Sequence, residues 1–224
     1  LIADRDSTTG GVRPDVVLIA DDLTGAADSG VTFAKYGAEV TVVWDPAQLA
    51  SNGDVMSQAD VLVLSTESRH GSAEVAERRV AAFMAGLSDV WCRSDLPWIY
   101  KKIDSTLRGH PGVELATVLR CIERACPGED GEGNRAPLRA LIAPAFPAQG
   151  RVTRGGTHFV HGTPLAETVF GQEVPTSRVR DRFLHAFEIG QHQLGFDHLR
   201  VGDRIDPAFD MGHVAILETP QDMR

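Results

Sequence analysis

The hydrophobic positions of this chain fall into two patterns that alternate along the sequence. A short, continuous apolar run, typical of a strand buried on both faces of a sheet, occupies residues 16–20, and the largely apolar segments 39–44, 59–65, 98–103 and 139–143 also predict strands. Between these runs, apolar residues recur at helical spacing, which predicts amphipathic helices over residues 24–36, 73–87 and 113–124. Strands that alternate with helices indicate βαβ units and therefore a parallel sheet.

The predicted fold is an α/β domain with a mostly parallel, doubly wound, Rossmann-like sheet. After the fifth strand, Gly155 and Gly156 lie between two short strand-like runs, which predicts a β-hairpin extension. A last apolar run at 213–217 predicts one further strand. We expect residues 1–14 to form a flexible N-terminal segment and residues 15–224 to form a single α/β domain.

Composition excludes several classes of protein. The chain of 224 residues carries a net charge of −9, which argues against a nucleic-acid partner. Charged residues interrupt every apolar stretch before it reaches the length of a membrane span, and the polar N-terminus has no apolar signal core. The three cysteines lack the paired spacing of a disulfide framework. We therefore expect a cytoplasmic protein with no membrane partner, in which an anionic ligand would need a local cationic pocket.

Two acids follow the first predicted strand. In open α/β sheets ligands bind beyond the carboxyl ends of the strands, and strand one ends at Asp21 and Asp22. Adjacent carboxylates can accept a proton from a substrate hydroxyl or help to hold a metal ion. Capping of the next helix by Asp22 or Thr24 is the simpler alternative, although a cap requires only one acid. A phosphatase of the haloacid dehalogenase type is a weaker alternative, since it needs Asp-x-Asp spacing.

A dense polar cluster follows the fourth predicted strand. Alternation along the strand places Lys102 and Asp104 on one face, where they can pair, and Lys101 and Ile103 on the other. The donors that come next suit a carboxylate or a phosphate: Ser105, Thr106 and Arg108. The helix that starts near Gly112 adds N–H groups if its first turn faces the same crevice. An exposed edge strand with solvated charges is the alternative.

Two other strand ends offer polar groups. Arg69 closes a hydroxyl-rich loop after the third strand, and Gln149 and Arg151 flank Gly150 after the fifth. Two prolines stiffen that last loop, so a rigid turn is its simpler interpretation. The sequence has no Gly-x-x-x-x-Gly-Lys-Ser/Thr loop, no Gly-x-Gly-x-x-Gly after a strand and no Gly-x-Ser-x-Gly elbow.

These segments resemble a known family. The N-terminal domain of the four-carbon acid sugar kinases, which include threonate and 3-oxo-tetronate kinases, is similar to this chain in four motifs: IADDLTGA (19–26), KKIDSTLRG (101–109), APAFPAQGR (143–151) and GTPLAET (162–168). The likeness extends over residues 15–180, and each motif falls at the same place in the order of strands and helices.

The resemblance implies ATP-dependent phosphorylation, with Mg²⁺, of the terminal hydroxyl of a four-carbon sugar acid. It implies that Asp22 or Asp21 lies near the reacting hydroxyl. The implied substrate-binding residues are Arg69, Lys102, Asp104, Ser105, Arg108, Gln149 and Arg151, and no metal ligand is assigned. ATP is expected on a separate C-terminal domain that this chain lacks. The oligomeric state is left open, and a homo-oligomer is one possibility.

Two alternatives to a kinase also stay open, and the first is motivated by the glycine-rich nucleotide domain of the family, which has no counterpart in this sequence. A non-catalytic module could use the same residues to sense an acidic metabolite. The charged loops could instead serve as scaffolding at a subunit interface.

Overall fold

A computed structural model of the protein describes residues 14–51, 59–91, 96–125, 138–183 and 213–217. The N-terminal segment that the sequence predicts to be flexible lies, apart from Pro14, outside the described residues. The domain boundary predicted at residue 15 therefore stays a prediction.

The main sheet contains, within the described residues, six strands numbered here in chain order: β1 (Val16–Ala20), β2 (Val40–Val43), β3 (Val61–Ser65), β4 (Trp98–Lys102), β5 (Arg139–Ala143) and β9 (His213–Leu217). Their spatial order is β2-β3-β1-β4-β9-β5. The pairs β1–β3, β1–β4 and β2–β3 are parallel, whereas β9 is antiparallel to β4 and β5. The mostly parallel sheet is confirmed, and the antiparallel insertion of β9 is a feature that the hydrophobic pattern does not reveal.

Helices cover both faces of this sheet. Those in the described ranges are α1 (Leu23–Lys35), α2 (Ala47–Ser51), α3 (Ala73–Ala85), α4 (Ser88–Trp91) and α5 (Pro111–Ala125). On one face, Leu18 and Ala20 of β1 share a small core with Ala26 of α1. On the opposite face, Val17 and Ile19 share a larger core with α3 and α5. Because successive strand residues point to opposite faces, β1 serves both cores, which explains its continuous apolar sequence.

A small antiparallel sheet follows β5 and consists of β6 (Arg151–Arg154), β7 (Thr157–Val160) and β8 (Thr163–Pro164). Gly155 and Gly156 form the turn between β6 and β7 with φ angles of 54° and 77°, which glycine adopts without strain. The predicted hairpin is confirmed, and β8 extends it to three strands. Val160 and the nearby Leu165 belong to the larger core, so the small sheet packs against the main domain.

The first turn of α5 is covered by a later part of the chain. Residues 179–183 are helical, and a Cβ added at Gly112 would lie 2.6 Å from the carbonyl oxygen of Arg182 and 2.9 Å from Cα of Phe183. This turn therefore packs against backbone instead of opening into a crevice, in contrast to the arrangement that the sequence left open. A residue with a side chain at position 112 would force these segments apart.

Candidate functional site

The carboxyl ends of β1, β3 and β4 lie side by side at one edge of the main sheet. The register pairs Ala20 of β1 with Ser65 of β3, and Ile19 of β1 with Lys101 of β4. The loop after β3 continues this pairing, because the amide of Thr66 donates to the carbonyl of Ala20 at 2.9 Å. The segments that follow the three strands therefore meet in one place, as expected for an open parallel sheet.

Arg69 links the two acids that follow β1. Its Nε and Nη2 atoms donate to the two carboxylate oxygens of Asp21, at 2.9 and 2.8 Å, in a bidentate pair. Its Nη1 atom donates to Oδ2 of Asp22 at 2.5 Å. The other oxygen of Asp22 accepts from the amide of Gly25 at 2.8 Å and so caps α1. The capping role considered for Asp22 is therefore present, and Asp21 serves a different purpose, since it holds Arg69.

Burial distinguishes the two acids further. The side chain of Asp21 is 3% exposed and that of Asp22 is 22% exposed. Burial acts to raise the pKa of Asp21, but the hydrogen bond from Arg69 and the positive charges of Lys101 and Arg69 outweigh it and lower that pKa below its usual value. Asp21 is therefore an anion at neutral pH. Of the two carboxylates, Asp22 is the one that solvent, and hence a ligand, can reach.

Lys102 is the cation that β4 brings to these acids. Its stem lies against the first turn of α1, because a Cβ added at Gly25 would meet Cγ of Lys102 at 3.6 Å. Its ammonium donates to the carbonyl of Ile103 at 2.8 Å, and no carboxylate among the described residues lies within 4.0 Å of it. Burial lowers the pKa of Lys102, and Asp104 and Asp21 act in the opposite sense. The ion pair with Asp104 that the alternation allows does not form, so this ammonium keeps donors for an anionic ligand.

Asp104 pairs instead with the arginine four residues later. Arg108 donates from Nε and Nη2 to the two oxygens of Asp104, both at 2.9 Å, and the amide and hydroxyl of Thr106 donate to Oδ2. Burial acts to raise the pKa of Asp104, but these hydrogen bonds and the arginine charges lower it well below its usual value. Arg108 also lies over the ring of Phe170, 5.7 Å from the centroid. The charges of this loop are thus balanced, and β4 lies inside the sheet rather than at an exposed edge.

Two groups that support this loop are not apparent from the sequence pattern. Lys101 and Glu114 form an ion pair, with Nζ 2.8 Å from Oε2. Arg182 donates from Nη2 to the carbonyls of Leu107 and Gly109, at 2.8 and 2.6 Å. The sequence contains a signal only for the ion pair. Alternation places Lys101 on the core side of β4, and a lysine that faces the core needs a buried acid as its partner. No spacing rule identifies that acid or the distant arginine.

His158 connects the small sheet to the same loop. Its Nε2 atom lies 2.8 Å from the carbonyl oxygen of Ser105, and its Nδ1 atom lies 3.0 Å from the hydroxyl of Thr153. Because a carbonyl oxygen can only accept, Nε2 carries the proton, and Nδ1 of the neutral ring accepts from Thr153. Burial lowers the pKa of His158, which keeps the ring neutral at neutral pH. Ser105, a predicted binding residue, is thereby fixed through its backbone.

Gln149 lies on the turn between β5 and β6, and Arg151 is the first residue of β6. The guanidinium of Arg151 donates to the backbone oxygen of Gln149 at 2.5 Å and to its side-chain oxygen at 3.3 Å. Gly150 between them has a φ of 69° and packs so closely on His161 that a Cβ would meet Nδ1 at 2.3 Å. No contact within the described part of the chain joins either side chain to Arg69. The geometry is that of a rigid turn, and a binding role for these two residues stays a prediction.

Replacing His158 with leucine is expected to loosen the small sheet from the loop that carries Ser105. The change leaves the Thr153 hydroxyl and the Ser105 carbonyl without their partner, which should lower the free energy of unfolding by about 1–3 kcal/mol. Glutamine, whose amide N–H can reach the Ser105 carbonyl, should recover part of the loss. Urea unfolding at neutral pH measures both variants, and equal losses for leucine and glutamine would contradict the assignment.

The same histidine predicts a pH dependence. Its pKa in the folded protein lies below the unfolded value of about 6.5, so the unfolded chain binds the proton first as the pH falls. The contribution of His158 to stability is therefore complete above that unfolded value and is lost as the pH falls through the folded pKa. The free energy of unfolding of the glutamine variant should fall less steeply than that of the wild type over this range.

The fold and the strand-end motifs define the class of protein. Residues 16–185 match the family model described as the sugar-binding N-terminal domain, and the chain belongs to this family. The resemblance to the N-terminal domain of the four-carbon acid sugar kinases is thereby confirmed.

Two kinases and one crystal structure show which proteins this chain is similar to. The D-threonate kinase of Salmonella typhimurium is 40% identical over 168 residues, which cover 75% of this chain and 34% of that protein. The D-erythronate kinase of Heliobacterium modesticaldum is 34% identical over 186 residues, which cover 81% of this chain and 38% of that protein. A crystal structure of a domain of unknown function from Bordetella bronchiseptica, a domain-swapped dimer with bound citrate, superposes with a TM-score of 0.57 at 30% identity. That match covers 76% of this chain and 39% of the other, so this chain spans 34–39% of the length of these three proteins.

The described side chains set limits on the chemistry of the site. In the part of the chain that the structure describes, no three or more His, Cys, Asp or Glu side chains come together in a way that could hold a metal ion. None of the described helices has the length and apolar character needed to cross a membrane. The groups that this site itself offers are carboxylates, a lysine and arginines, which suit charge recognition and proton transfer.

Proposed function

We propose that this domain binds a four-carbon acid sugar and presents its terminal hydroxyl for ATP-dependent phosphorylation, as the acceptor half of a kinase. The observation that carries the proposal is the convergence of Asp22, Arg69 and Lys102 at one edge of the sheet. Its second support is the identity of 40% with a D-threonate kinase over 168 residues. Threonate, erythronate and 3-oxo-tetronate are the candidate substrates.

The carboxylate of the sugar acid is assigned to Lys102. Arg69 and Arg108 are already paired with acids of the domain, whereas Lys102 has only a carbonyl partner among the described residues. The positive end of the α1 dipole lies beside it and favours an anion at the same place. The structure of the Bordetella relative contains bound citrate, which is also a hydroxy acid.

The reacting hydroxyl is assigned to Asp22. This carboxylate is the more exposed of the two acids, and it also lies against Gly25, since a Cβ there would meet Oδ1 of Asp22 at 2.7 Å. A carboxylate at this position can accept the hydroxyl proton as the oxygen attacks the phosphoryl group. Asp21 then orients Arg69, and Arg69 keeps the two adjacent carboxylates from repelling each other.

ATP and Mg²⁺ are assigned to a separate C-terminal domain. The sequence contains no familiar phosphate-binding loop, and the kinase relatives are much longer than the part that this chain matches. When bound with ATP, Mg²⁺ neutralises charge on the transferred phosphoryl group. The residues of this domain bind and orient the acceptor and take up its proton.

Calorimetry with four-carbon compounds tests the binding half of the proposal. This chain should bind D-threonate or D-erythronate and should not bind erythritol, which has the same carbon chain without a carboxylate. Replacing Lys102 with methionine should weaken binding at least about tenfold, because the ligand carboxylate loses its charged partner. Replacing Lys35, an exposed lysine of α1, with methionine is the matched control and should have no effect. Failure to bind any four-carbon acid would overturn the proposal.

Phosphoryl transfer tests the catalytic half. The chain joined to the C-terminal part of the Salmonella D-threonate kinase should phosphorylate the acid that it binds when ATP and Mg²⁺ are added. Replacing Asp22 with asparagine should lower kcat by a factor of about 100 or more, since the hydroxyl loses its proton acceptor. Binding without turnover in this protein would favour the alternative of a sensor for an acidic metabolite.

A further inference from the structure

An ion pair is buried on the core side of the strand that carries Lys102. Nζ of Lys101 lies 2.8 Å from Oε2 of Glu114, and the two side chains are 0% and 1% exposed. The hydroxyl of Ser68 donates to the other oxygen of Glu114 and lies 2.7 Å from the hydroxyl of Thr66. The lysine also donates to the carbonyl of Lys102 at 2.7 Å. Each charged group therefore has partners on more than one side.

This network joins the elements that carry the candidate site. The hydroxyl of Thr66 donates to the carbonyl of Ala20, the residue before the two acids, at 3.0 Å. Ser68 is followed directly by Arg69 in the sequence. Glu114 lies in the first turn of α5 and so connects that helix to the network, and Lys101 connects the end of β4 to it. Side chains thus tie the ends of β1, β3 and β4 to one another and to α5.

Neither direct binding nor stability accounts for charges at this position. No ligand can touch the pair, because neither side chain is exposed. Removing two charges from water costs about as much as their attraction returns, and apolar replacements of similar volume are often neutral or stabilising. Apolar side chains could fill the same space, but they could not fix the direction of the groups beside them, as hydrogen bonds do.

The charge of Lys101 also acts on the candidate site. Burial acts to raise the pKa of Asp21 and the hydrogen bond from Arg69 lowers it; the Lys101 charge lowers it further. For Lys102, burial lowers the pKa of the ammonium, and the charge of the neighbouring lysine lowers it as well. The charge of Lys101 thus acts on the protonation of Asp21 and Lys102, and hydrogen bonds join the pair to the strand ends that carry the site.

We propose that the Lys101–Glu114 ion pair is a positioning element of the site. It holds Arg69 and Lys102 in the relative position that acid binding requires, and it adds little net stability. The inference rests on the proposed binding of a four-carbon acid. Neither residue touches the ligand; both act through Ser68 and through the end of β4.

The double variant K101M/E114L tests the inference, because it removes both charges and nearly conserves volume. Its thermal midpoint should stay within about 4 °C of the wild type, and calorimetry should show a Kd for D-threonate at least about tenfold higher. Each single variant should have a lower midpoint than the double variant, since it leaves one buried charge unpaired. The control R120M/E77Q removes an ion pair of 2.7 Å between α5 and α3 whose side chains are 24% and 49% exposed, and it should change neither quantity.

Amide hydrogen exchange supplies a readout that needs no ligand. In the double variant the amides of residues 66–69 and 102–108 should exchange at least about tenfold faster, while those of β2 keep the wild-type rate. Unchanged exchange together with wild-type affinity would overturn the inference and leave the proposed function intact. A wild type that binds no four-carbon acid would overturn the proposed function, and exchange alone would then decide whether the pair positions the strand ends. A large drop in the midpoint of the double variant would make the pair a stabilising element instead.

Discussion

Replacing Arg69 with methionine is expected to lower the free energy of unfolding by about 3–5 kcal/mol at neutral pH. Asp21 is almost fully buried. Among the described residues, both side-chain hydrogen bonds to its carboxylate come from the guanidinium of Arg69. Without Arg69 the buried carboxylate of Asp21 has no side-chain hydrogen-bond partner among the described residues and lies next to the carboxylate of Asp22. The pKa of Asp21 should rise strongly, because burial is then opposed only by more distant charges.

A second substitution separates the lost charge pair from lost packing. Adding Asp21→Asn to the methionine variant removes the buried negative charge, so the double variant should regain a large part of the lost free energy of unfolding. Lysine at position 69 should give an intermediate loss, since it keeps the charge but cannot make the bidentate pair. Urea unfolding of the four proteins provides the comparison.

An exposed ion pair supplies the control for this experiment. Arg120 and Glu77 lie 2.7 Å apart, as close as Arg69 and Asp21, but their side chains are 24% and 49% exposed. Methionine at position 120 should therefore cost about 0–1 kcal/mol. If the Arg69 variant lost no more than the Arg120 variant, the buried cluster would not have the energetic role assigned to it.

Much of the main sheet could be predicted because strands buried on both faces have a simple sequence pattern. The observed strands Val16–Ala20 and Arg139–Ala143 have the predicted bounds. The continuous apolar run of the first strand ends where the chain leaves the core. The place of β9 could not be predicted in the same way. Its apolar run predicts a strand, but its partners depend on how distant parts of the chain dock, and spacing contains no information about that.

The location of the candidate site could be predicted from the sequence, but the ion pairs between its side chains could not. The topology of a parallel sheet brings the ends of β1, β3 and β4 together, so the convergence of Asp21, Arg69 and Lys102 follows from the order of elements. Alternation along β4 allows Lys102 to pair with Asp104, but Asp104 pairs with Arg108 instead. The chain turns after Asp104, with Leu107 in a left-handed conformation (φ 57°), and this turn brings the arginine fork onto the acid.

Groups that support the site from below were the least predictable. From the sequence, Glu114 looks like an ordinary acid in the first turn of a helix, where its charge would interact favourably with the helix dipole. Its burial follows from the docking of α5 over Lys101, which no local pattern contains. The histidine of the small sheet is similar, because only the folded chain places His158 against the Ser105 carbonyl. Such groups can be found by asking which group pairs with each buried polar atom, and that question requires a structure.

Replacing Asp104 with asparagine is expected to lower the free energy of unfolding by about 2–4 kcal/mol at neutral pH. The acid accepts four side-chain and backbone hydrogen bonds from Thr106 and Arg108, besides a longer one from the amide of residue 108. An amide keeps the shape but loses the charge, and its N–H₂ group would face donors. The loss stays below that expected for Arg69, because the Arg108 side chain is 30% exposed and water can solvate it.

The dependence of this loss on pH identifies its cause. The pKa of Asp104 in the folded protein lies below its unfolded value of about 3.9, because hydrogen bonds and arginine charges outweigh burial. The carboxylate therefore contributes its full stability above that unfolded value, and the contribution is lost as the pH falls through the folded pKa. The difference in free energy of unfolding between wild type and variant should be largest at neutral pH and should shrink below about pH 4. Urea unfolding at several pH values measures it, with Asp28→Asn, at an exposed position of α1, as a control expected to stay within about 0.5 kcal/mol of wild type at neutral pH. A difference for Asp104 that did not change with pH would show that lost packing, and not the charge, causes the effect.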